Sequence, residues 1–201
     1  MRNLRMKYCL VVLVWVLSGC AHAADCAYDR ATLFAQDVET FDQSPNGWRS
    51  VGEIEGCELA GAELIAGYRS RNAAVLVNGD PDTIELLNWH EGQLRAVAGE
   101  IRPAIDRMNL AGMNVDLANA LYIQATAAFL ARQRPALEAI RAELAALPEP
   151  AWFAEARTQQ HAAGRELSWP PNLDVVDGLI ACYDRPYREA YSRACRSLPR
   201  G

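Results

Sequence analysis

Apolar positions recur at helical spacing along almost the whole chain. Residues 57–68 are the clearest case, since their apolar stripe at steps of three and four consists of Cys57, Ala60, Gly61, Leu64, Ile65 and Tyr68. This spacing is typical of an amphipathic helix with one buried face. No segment alternates as a half-buried strand would; the nearest, Ala73–Val77, is a short apolar run without alternation. The pattern therefore predicts an all-α protein.

The segment 82–98 predicts a helix that is apolar on two sides. Asp80 and Pro81 are typical helix-starting residues, and Gly99 is a typical stop. One stripe consists of Ile84, Leu87, Leu94 and Ala98, and the other of Leu86, Trp89 and Val97. A helix with two apolar sides is expected between two neighbouring helices.

A short motif divides the chain into helix pairs. Arg-Pro-Ala occurs at residues 102–104 and again 32 residues later at 134–136, and Arg185-Pro186-Tyr187 is a looser copy. Each copy follows one predicted helix, such as 115–131, and opens the next, because proline suits the first turn of a helix. The sequence therefore predicts stacked helical hairpins.

Pairs of helices with a period near 34 residues resemble the tetratricopeptide repeat. In the first unit the matching positions are Gly92, Ala104, Met108 and Ala111, and in the second they are Ala136, Ile140 and Pro148. The signature Trp and Leu-Gly of the first helix are absent, and Gln124 replaces the first-helix glycine of the second unit. The resemblance covers about residues 80–148 and implies a right-handed array of helix pairs. Residues 41–72 also resemble stretches of exported proteins of Gram-negative bacteria, which implies no function.

Two further segments follow this array in the chain. Residues 172–198 predict a C-terminal hairpin whose second arm carries an apolar stripe from Tyr187 to Leu198. Before it, prolines bound an excursion at residues 148–171, part of which is compatible with a helix. This excursion holds Trp152 and Trp169, which either form a contact surface or fold back over the last hairpin. We expect residues 20–201 to form one helical domain.

The N-terminus has the features of a secretory signal peptide. Arg2, Arg5 and Lys7 precede a ten-residue apolar run at 8–17, which is too short to cross a membrane. Leu17-Ser18-Gly19-Cys20 resembles a bacterial lipobox, which implies a lipoprotein signal at 1–19, lipidation of Cys20 and transfer to the outer membrane. The alternative is cleavage after Ala23, which leaves a soluble periplasmic protein.

Four cysteines remain after Cys9 and Cys20 are set aside. An even number in an exported chain indicates disulfides, and four cysteines allow three connectivities. Each end of the chain holds one pair, so we expect Cys26 with Cys57 and Cys182 with Cys195. Without C-x-x-C spacing, a cysteine metal site is not expected.

Charge and motifs exclude several functions. Without the signal segment, 17 arginines face 25 acidic residues, a net charge of about −8 with no lysine and no basic stripe, so nucleic acid is not an expected partner. His90-Glu91 begins like the zinc-protease motif, but Leu94 stands where its second histidine belongs. We expect no cofactor, no metal and no catalytic residue.

The sequence therefore predicts a non-catalytic periplasmic lipoprotein that binds another protein through a helical-repeat surface. The partner is either an envelope or secretion component, with this protein as adaptor, or a periplasmic toxin, with this protein as its immunity protein. The membrane is expected to be contacted only through the lipid. The candidate protein-binding residues are Trp89, His90, Gln93, Trp152 and Trp169. The alternative is a small periplasmic hydrolase acting on cell wall or lipid.

Overall fold

A computed structural model describes residues 25–162 and 167–198, and its regular structure is α-helical throughout these ranges. The helices are α1 (Arg30–Phe34), α2 (Val38–Gln43), α3 (Arg49–Gly52), α4 (Glu58–Arg71), α5 (Ala73–Val77), α6 (Pro81–Val97), α7 (Ile101–Ala111), α8 (Leu117–Leu130), α9 (Arg134–Ala145), α10 (Ala151–Ala162), α11 (Leu173–Ala181), α12 (Tyr187–Ala190) and α13 (Arg193–Arg196). The all-α prediction is confirmed for the described residues. The predicted signal segment 1–19, with Cys20 and Ala23, lies outside them.

Helix α6 occupies the centre of the described structure. Asp80 caps its first turn by accepting a hydrogen bond from the Asp82 backbone N–H, and Pro81 follows at the first helical position. The helix packs against α4 on one side and against α7 on another. This agrees with the two apolar sides predicted for residues 82–98.

The two Arg-Pro-Ala copies follow similar turns. After α6, Gly99 adopts a left-handed conformation and the Glu100 N–H bonds back to the Arg95 carbonyl. After α8, Arg132 takes the left-handed position and the Gln133 N–H bonds back to the Ala128 carbonyl. These backward bonds end a helix tightly, so α7 folds against α6 and α9 against α8.

Small residues let α6 and α7 approach closely. A Cβ at Gly92 would lie 3.0 Å from the Met108 side chain and 3.2 Å from the Ala104 carbonyl oxygen. Ala104 and Met108 are themselves fully buried. The positions predicted to be packing residues in the first helix pair thus contact one another.

Buried apolar residues form two clusters that divide near the C-terminal end of α6. The N-terminal cluster consists of Leu33, Phe41, Trp48, Val51, Cys57, Ala62, Leu64, Ile65, Tyr68, Leu76, Leu87 and Leu94. The C-terminal cluster draws its buried members from residues 96–195, with α8 contributing the largest share. Since α6 contributes to both clusters, it connects the two parts of the core.

Both predicted cysteine pairs are disulfide-bonded. Cys26 joins Cys57 at the start of α4, and Cys182 joins Cys195 in α13. Disulfides persist in oxidising surroundings, which indicates an extracytoplasmic compartment. No helix in the described ranges has the length and apolar character needed to cross a membrane.

The C-terminal hairpin differs from its prediction. Instead of one helix over residues 187–198, two short helices are separated at Ser192, whose backbone is extended. A Cβ at Gly178 would lie 3.1 Å from the Arg196 backbone nitrogen, so α13 lies directly against α11. The bend allows this close contact and the disulfide between Cys182 and Cys195, neither of which a straight helix pattern reveals. Leu198, predicted to face inward, is exposed.

Candidate functional site

A surface cavity of about 490 Å³ lies where α6, the end of α7 and the start of α8 meet. Its volume is within the range of ligand-binding pockets. We call it the acidic pocket, and it is lined by Asp82, Glu85, Leu86, Trp89, Ala111, Asn114, Val115, Asp116, Asn119, Tyr122, Ile123 and Asn172. Three of these residues carry carboxylates, and none is basic.

Two of the three carboxylates are also explained by helix capping. Asp116 is the N-cap of α8, and its side chain accepts hydrogen bonds from the Ala118 and Asn119 backbone N–H groups. Asp82 lies in the first turn of α6, where a negative charge interacts favourably with the helix dipole. Both side chains are exposed and belong to the pocket lining, so they add negative charge to it.

Glu85 has no such explanation. It lies in the second turn of α6 and is only 5% exposed. Its Oε1 accepts a hydrogen bond from Asn114 Nδ2 at 2.5 Å, whereas its Oε2 is buried without a hydrogen-bond partner among the described residues. A buried carboxylate is costly unless hydrogen bonds or a cation compensate its charge. Glu85 Oε2 can therefore accept a further hydrogen bond from a molecule in the pocket.

Aromatic rings form a wall of the pocket. Trp89 follows Glu85 by one turn of α6, so both side chains lie on the same helix face. The Trp89 and Tyr122 ring centroids are 5.0 Å apart in an edge-to-face arrangement. Burial raises the pKa of Tyr122 well above its ordinary value, which keeps the phenol neutral. The Tyr122 hydroxyl donates to the Tyr191 hydroxyl at 3.2 Å.

Exposed apolar side chains occur in the lining of the acidic pocket and next to it in sequence. Leu86 lines it from α6 and is 40% exposed. Met113 and Leu117, which flank the lining residues 114–116, are 69% and 56% exposed. Together these three residues form what we call the apolar rim. Exposed apolar side chains grouped around a polar cavity are typical of surfaces that another molecule covers.

His90 and Gln93 were predicted as binding residues with Trp89, but His90 lies on another face of α6, and Gln93, one turn beyond Trp89, is outside the pocket lining. The His90 imidazole Nδ1 is 2.7 Å from Asp42 Oδ1, and its ring packs on Trp48. The Gln93 side chain is half-buried beside the Tyr187 hydroxyl. The structure therefore brings neither residue into the acidic pocket with Trp89.

The His90 and Asp42 pair is buried. Burial acts to raise the pKa of Asp42. The hydrogen bond and charge of His90 and a further hydrogen bond from Trp48 outweigh this effect, so the pKa of Asp42 lies below its ordinary value. Asp42 Oδ1 accepts the Trp48 indole N–H at 2.9 Å. This geometry orients His90 and joins α2 to α6.

The other two predicted binding residues lie on the C-terminal excursion. Trp152 in α10 is 63% exposed and contacts Trp169 edge to face. Trp169 is half-buried, and its indole N–H donates to the Leu147 carbonyl at 3.0 Å. Trp169 thus folds back, as one of the two alternatives predicted, and Trp152 remains at the surface, where its role in binding stays a prediction.

Sequence reasoning missed Glu85 and Asn114. The only signal was an acidic residue one turn before a tryptophan on a helix with two apolar sides. Within the described residues, no group of three or more histidine, cysteine or acidic side chains is placed to hold a metal ion. No protein-family model, curated protein or solved structure matches the chain.

Proposed function

We propose that this protein is a non-catalytic binding protein that engages another protein through the acidic pocket and its apolar rim. The observation that carries the proposal is an aromatic-walled cavity with exposed Leu86 in its lining and exposed Met113 and Leu117 directly before and after lining residues 114–116. Interfaces concentrate their binding energy in pockets that accept an anchoring side chain, surrounded by contacts that exclude water.

The scaffold supports the same function. Consecutive pairs α6 with α7 and α8 with α9 pack in sequence order, as in tetratricopeptide-like arrays, which present surfaces to protein partners. The acidic lining favours a basic region on the partner. An envelope or secretion component fits an adaptor role, and a basic periplasmic toxin fits an immunity role.

The compartment is the periplasm in this proposal, with a lipid on Cys20 holding the protein at the outer membrane. The disulfides support an extracytoplasmic location. Intact-mass spectrometry of the mature protein tests the anchor, because lipidation predicts a chain starting at Cys20 with added acyl mass. A chain starting after Ala23 with no added mass would mean a soluble periplasmic protein.

The alternative hydrolase rests on the contact between His90 and Asp42, because a carboxylate that orients an imidazole is part of many acid–base sites. Both groups are largely buried beside Trp48, and His90 lies on a different face of α6 from the acidic pocket. The structure therefore supports binding better than hydrolysis.

Site-specific photo-crosslinking in cells tests the binding proposal. A photoreactive residue replaces Met113 or Leu117 in the rim, and a third variant carries it at Glu143, an exposed position on α9 outside the pocket. We expect both rim positions to give an adduct with the same protein, which mass spectrometry identifies, and Glu143 to give none. No adduct, or the same adduct from all three positions, would contradict the proposal.

A further inference from the structure

We propose that the acidic pocket binds a guanidinium group, presented by an arginine side chain of the protein partner. This inference rests on the proposed function and adds the chemistry of recognition. Its central contact is a hydrogen bond donated by the guanidinium to Glu85 Oε2, with the planar group against the aromatic wall.

The charge of Glu85 is the first argument. Its carboxylate is buried, lines the cavity, and receives one hydrogen bond, from the neutral amide of Asn114. By contrast, the buried carboxylate of Glu91 in the next turns of the same helix contacts Arg69 and Arg95. A cationic donor entering the pocket would give Glu85 the kind of partner that Glu91 has within the chain.

The walls select an organic cation. Trp89 and Tyr122 offer aromatic rings, and guanidinium groups stack on such rings as well as hydrogen-bonding to carboxylates. The amide side chains of Asn114, Asn119 and Asn172 also line the cavity and supply further acceptors. A bare metal ion would use the oxygens but not the rings.

The mouth of the pocket fits a side chain attached to a protein. Asp82 and Asp116 are exposed there and attract a positive charge toward the cavity. Leu86 lines the cavity and suits the methylene stem of arginine, while Met113 and Leu117, which adjoin the lining residues in sequence, offer exposed apolar surface to the partner backbone. A free small cation would leave the apolar rim exposed to water.

The first test uses a defined probe, N-acetyl-L-arginine methylamide, with its uncharged analogue N-acetyl-L-citrulline methylamide and the corresponding lysine derivative as comparisons. Binding is followed through the tryptophan indole signals in two-dimensional NMR. We expect the arginine derivative to shift the Trp89 signal and to leave Trp48 unchanged. Calcium chloride is added as a further comparison. The proposal would be overturned if the arginine derivative gave no shift, if the citrulline derivative gave an equal shift, or if the lysine derivative or Ca²⁺ gave a shift at least as large.

A matched pair of variants isolates the carboxylate. Glu85→Gln keeps the shape and removes the charge, so we expect it to weaken probe binding by about tenfold or more. Glu143→Gln removes an exposed charge outside the pocket and should bind like the parent. Thermal melting checks that both variants fold. If Glu85→Gln is unstable, Asp82→Asn at the exposed mouth replaces it, and we expect from it a smaller loss of probe binding. Unchanged binding in Glu85→Gln would overturn the assignment.

Combining Glu85→Gln with the photo-crosslinker at Met113 separates this inference from the proposed function. Loss of the adduct in this variant, with probe binding also lost, supports both. Retention of the adduct overturns the guanidinium site but leaves protein binding in place. Probe binding without any adduct in the parent protein supports the guanidinium pocket and contradicts the protein partner.

Discussion

The N-terminal part of the described chain, up to the end of α6, buries carboxylate and amide side chains beside its apolar cluster, whereas the C-terminal part after α6 buries mainly apolar and aromatic ones. Among the described residues, the buried polar side chains are Asp42, Glu58, Glu85, Asn88, Glu91 and Thr126. Only Thr126 belongs to the chain after α6, and its hydroxyl donates to the Tyr122 carbonyl one turn earlier. The acidic pocket takes its lining from α6 and from residues that follow it in the chain.

The difference lies in how each region satisfies its buried groups. In the N-terminal region, Glu91 is 1% exposed and contacts Arg69 and Arg95, which come from α4 and α6. In the C-terminal region, rings such as Phe129, Tyr183 and Tyr187 pack against one another. The stability gained from an ion pair depends on the presence of both partners and on pH, whereas the stability gained from apolar packing depends on the volumes of the packed side chains. The two regions should therefore respond to different perturbations.

The largest expected effect comes from Glu91→Ala. Removing this carboxylate leaves the largely buried Arg69 without its ion-pair partner among the described residues and takes one partner from Arg95, which also contacts Glu100. We expect a loss of about 3–5 kcal/mol in the free energy of unfolding. Denaturant unfolding monitored by circular dichroism measures it. The matched control is Glu138→Ala, because Glu138 pairs with Arg134 at the exposed surface, and we expect it to cost about 1 kcal/mol or less. Equal losses would show that the Glu91 contacts contribute no more than a surface pair.

The two disulfides give the next effect. Cys26 and Cys57 are separated by 31 residues and Cys182 and Cys195 by 13, so loop entropy predicts a loss of about 4 kcal/mol without the first and about 3 kcal/mol without the second. The measurement compares the two double alanine variants by thermal and denaturant unfolding. The opposite order would mean that native packing of α13 on α11, rather than loop length, determines the contribution of the C-terminal bridge.

The helices were predictable where local chemistry and apolar spacing agreed. Helices α6 and α8 begin after aspartate caps and carry clear apolar stripes, so their bounds lie within a residue or two of the prediction. The bend at Ser192 was not predictable, because it depends on the contact between Gly178 and Arg196 and on a disulfide to another helix. The sequence pattern records local periodicity but not such contacts.

The candidate site was predictable only through its tryptophan. Trp89 was predicted from the sequence as a binding residue, and it lies in the wall of the acidic pocket; its role in binding stays a prediction. Glu85 was missed because its burial results from the segment that holds Asn114 and Tyr122, about thirty residues later in the chain. In sequence it looks like any acidic residue on a helix surface. His90 was likewise assigned without its partner, Asp42.

The smallest expected effect tests the ionic character of the N-terminal region by pH. Asp42 has a lowered pKa in the folded protein, so its stabilisation is complete above the ordinary aspartate value of about 3.9 and is lost as pH falls through the folded pKa. We expect Asp42→Asn to reduce the free energy of unfolding by about 1 kcal/mol at neutral pH and the difference to vanish under strongly acidic conditions. Denaturant unfolding across this pH range measures it, with Asp106→Asn, an exposed aspartate on α7, as the control. A difference that persists unchanged in acid would assign the effect of Asp42→Asn to altered packing against Trp48 rather than to the carboxylate charge.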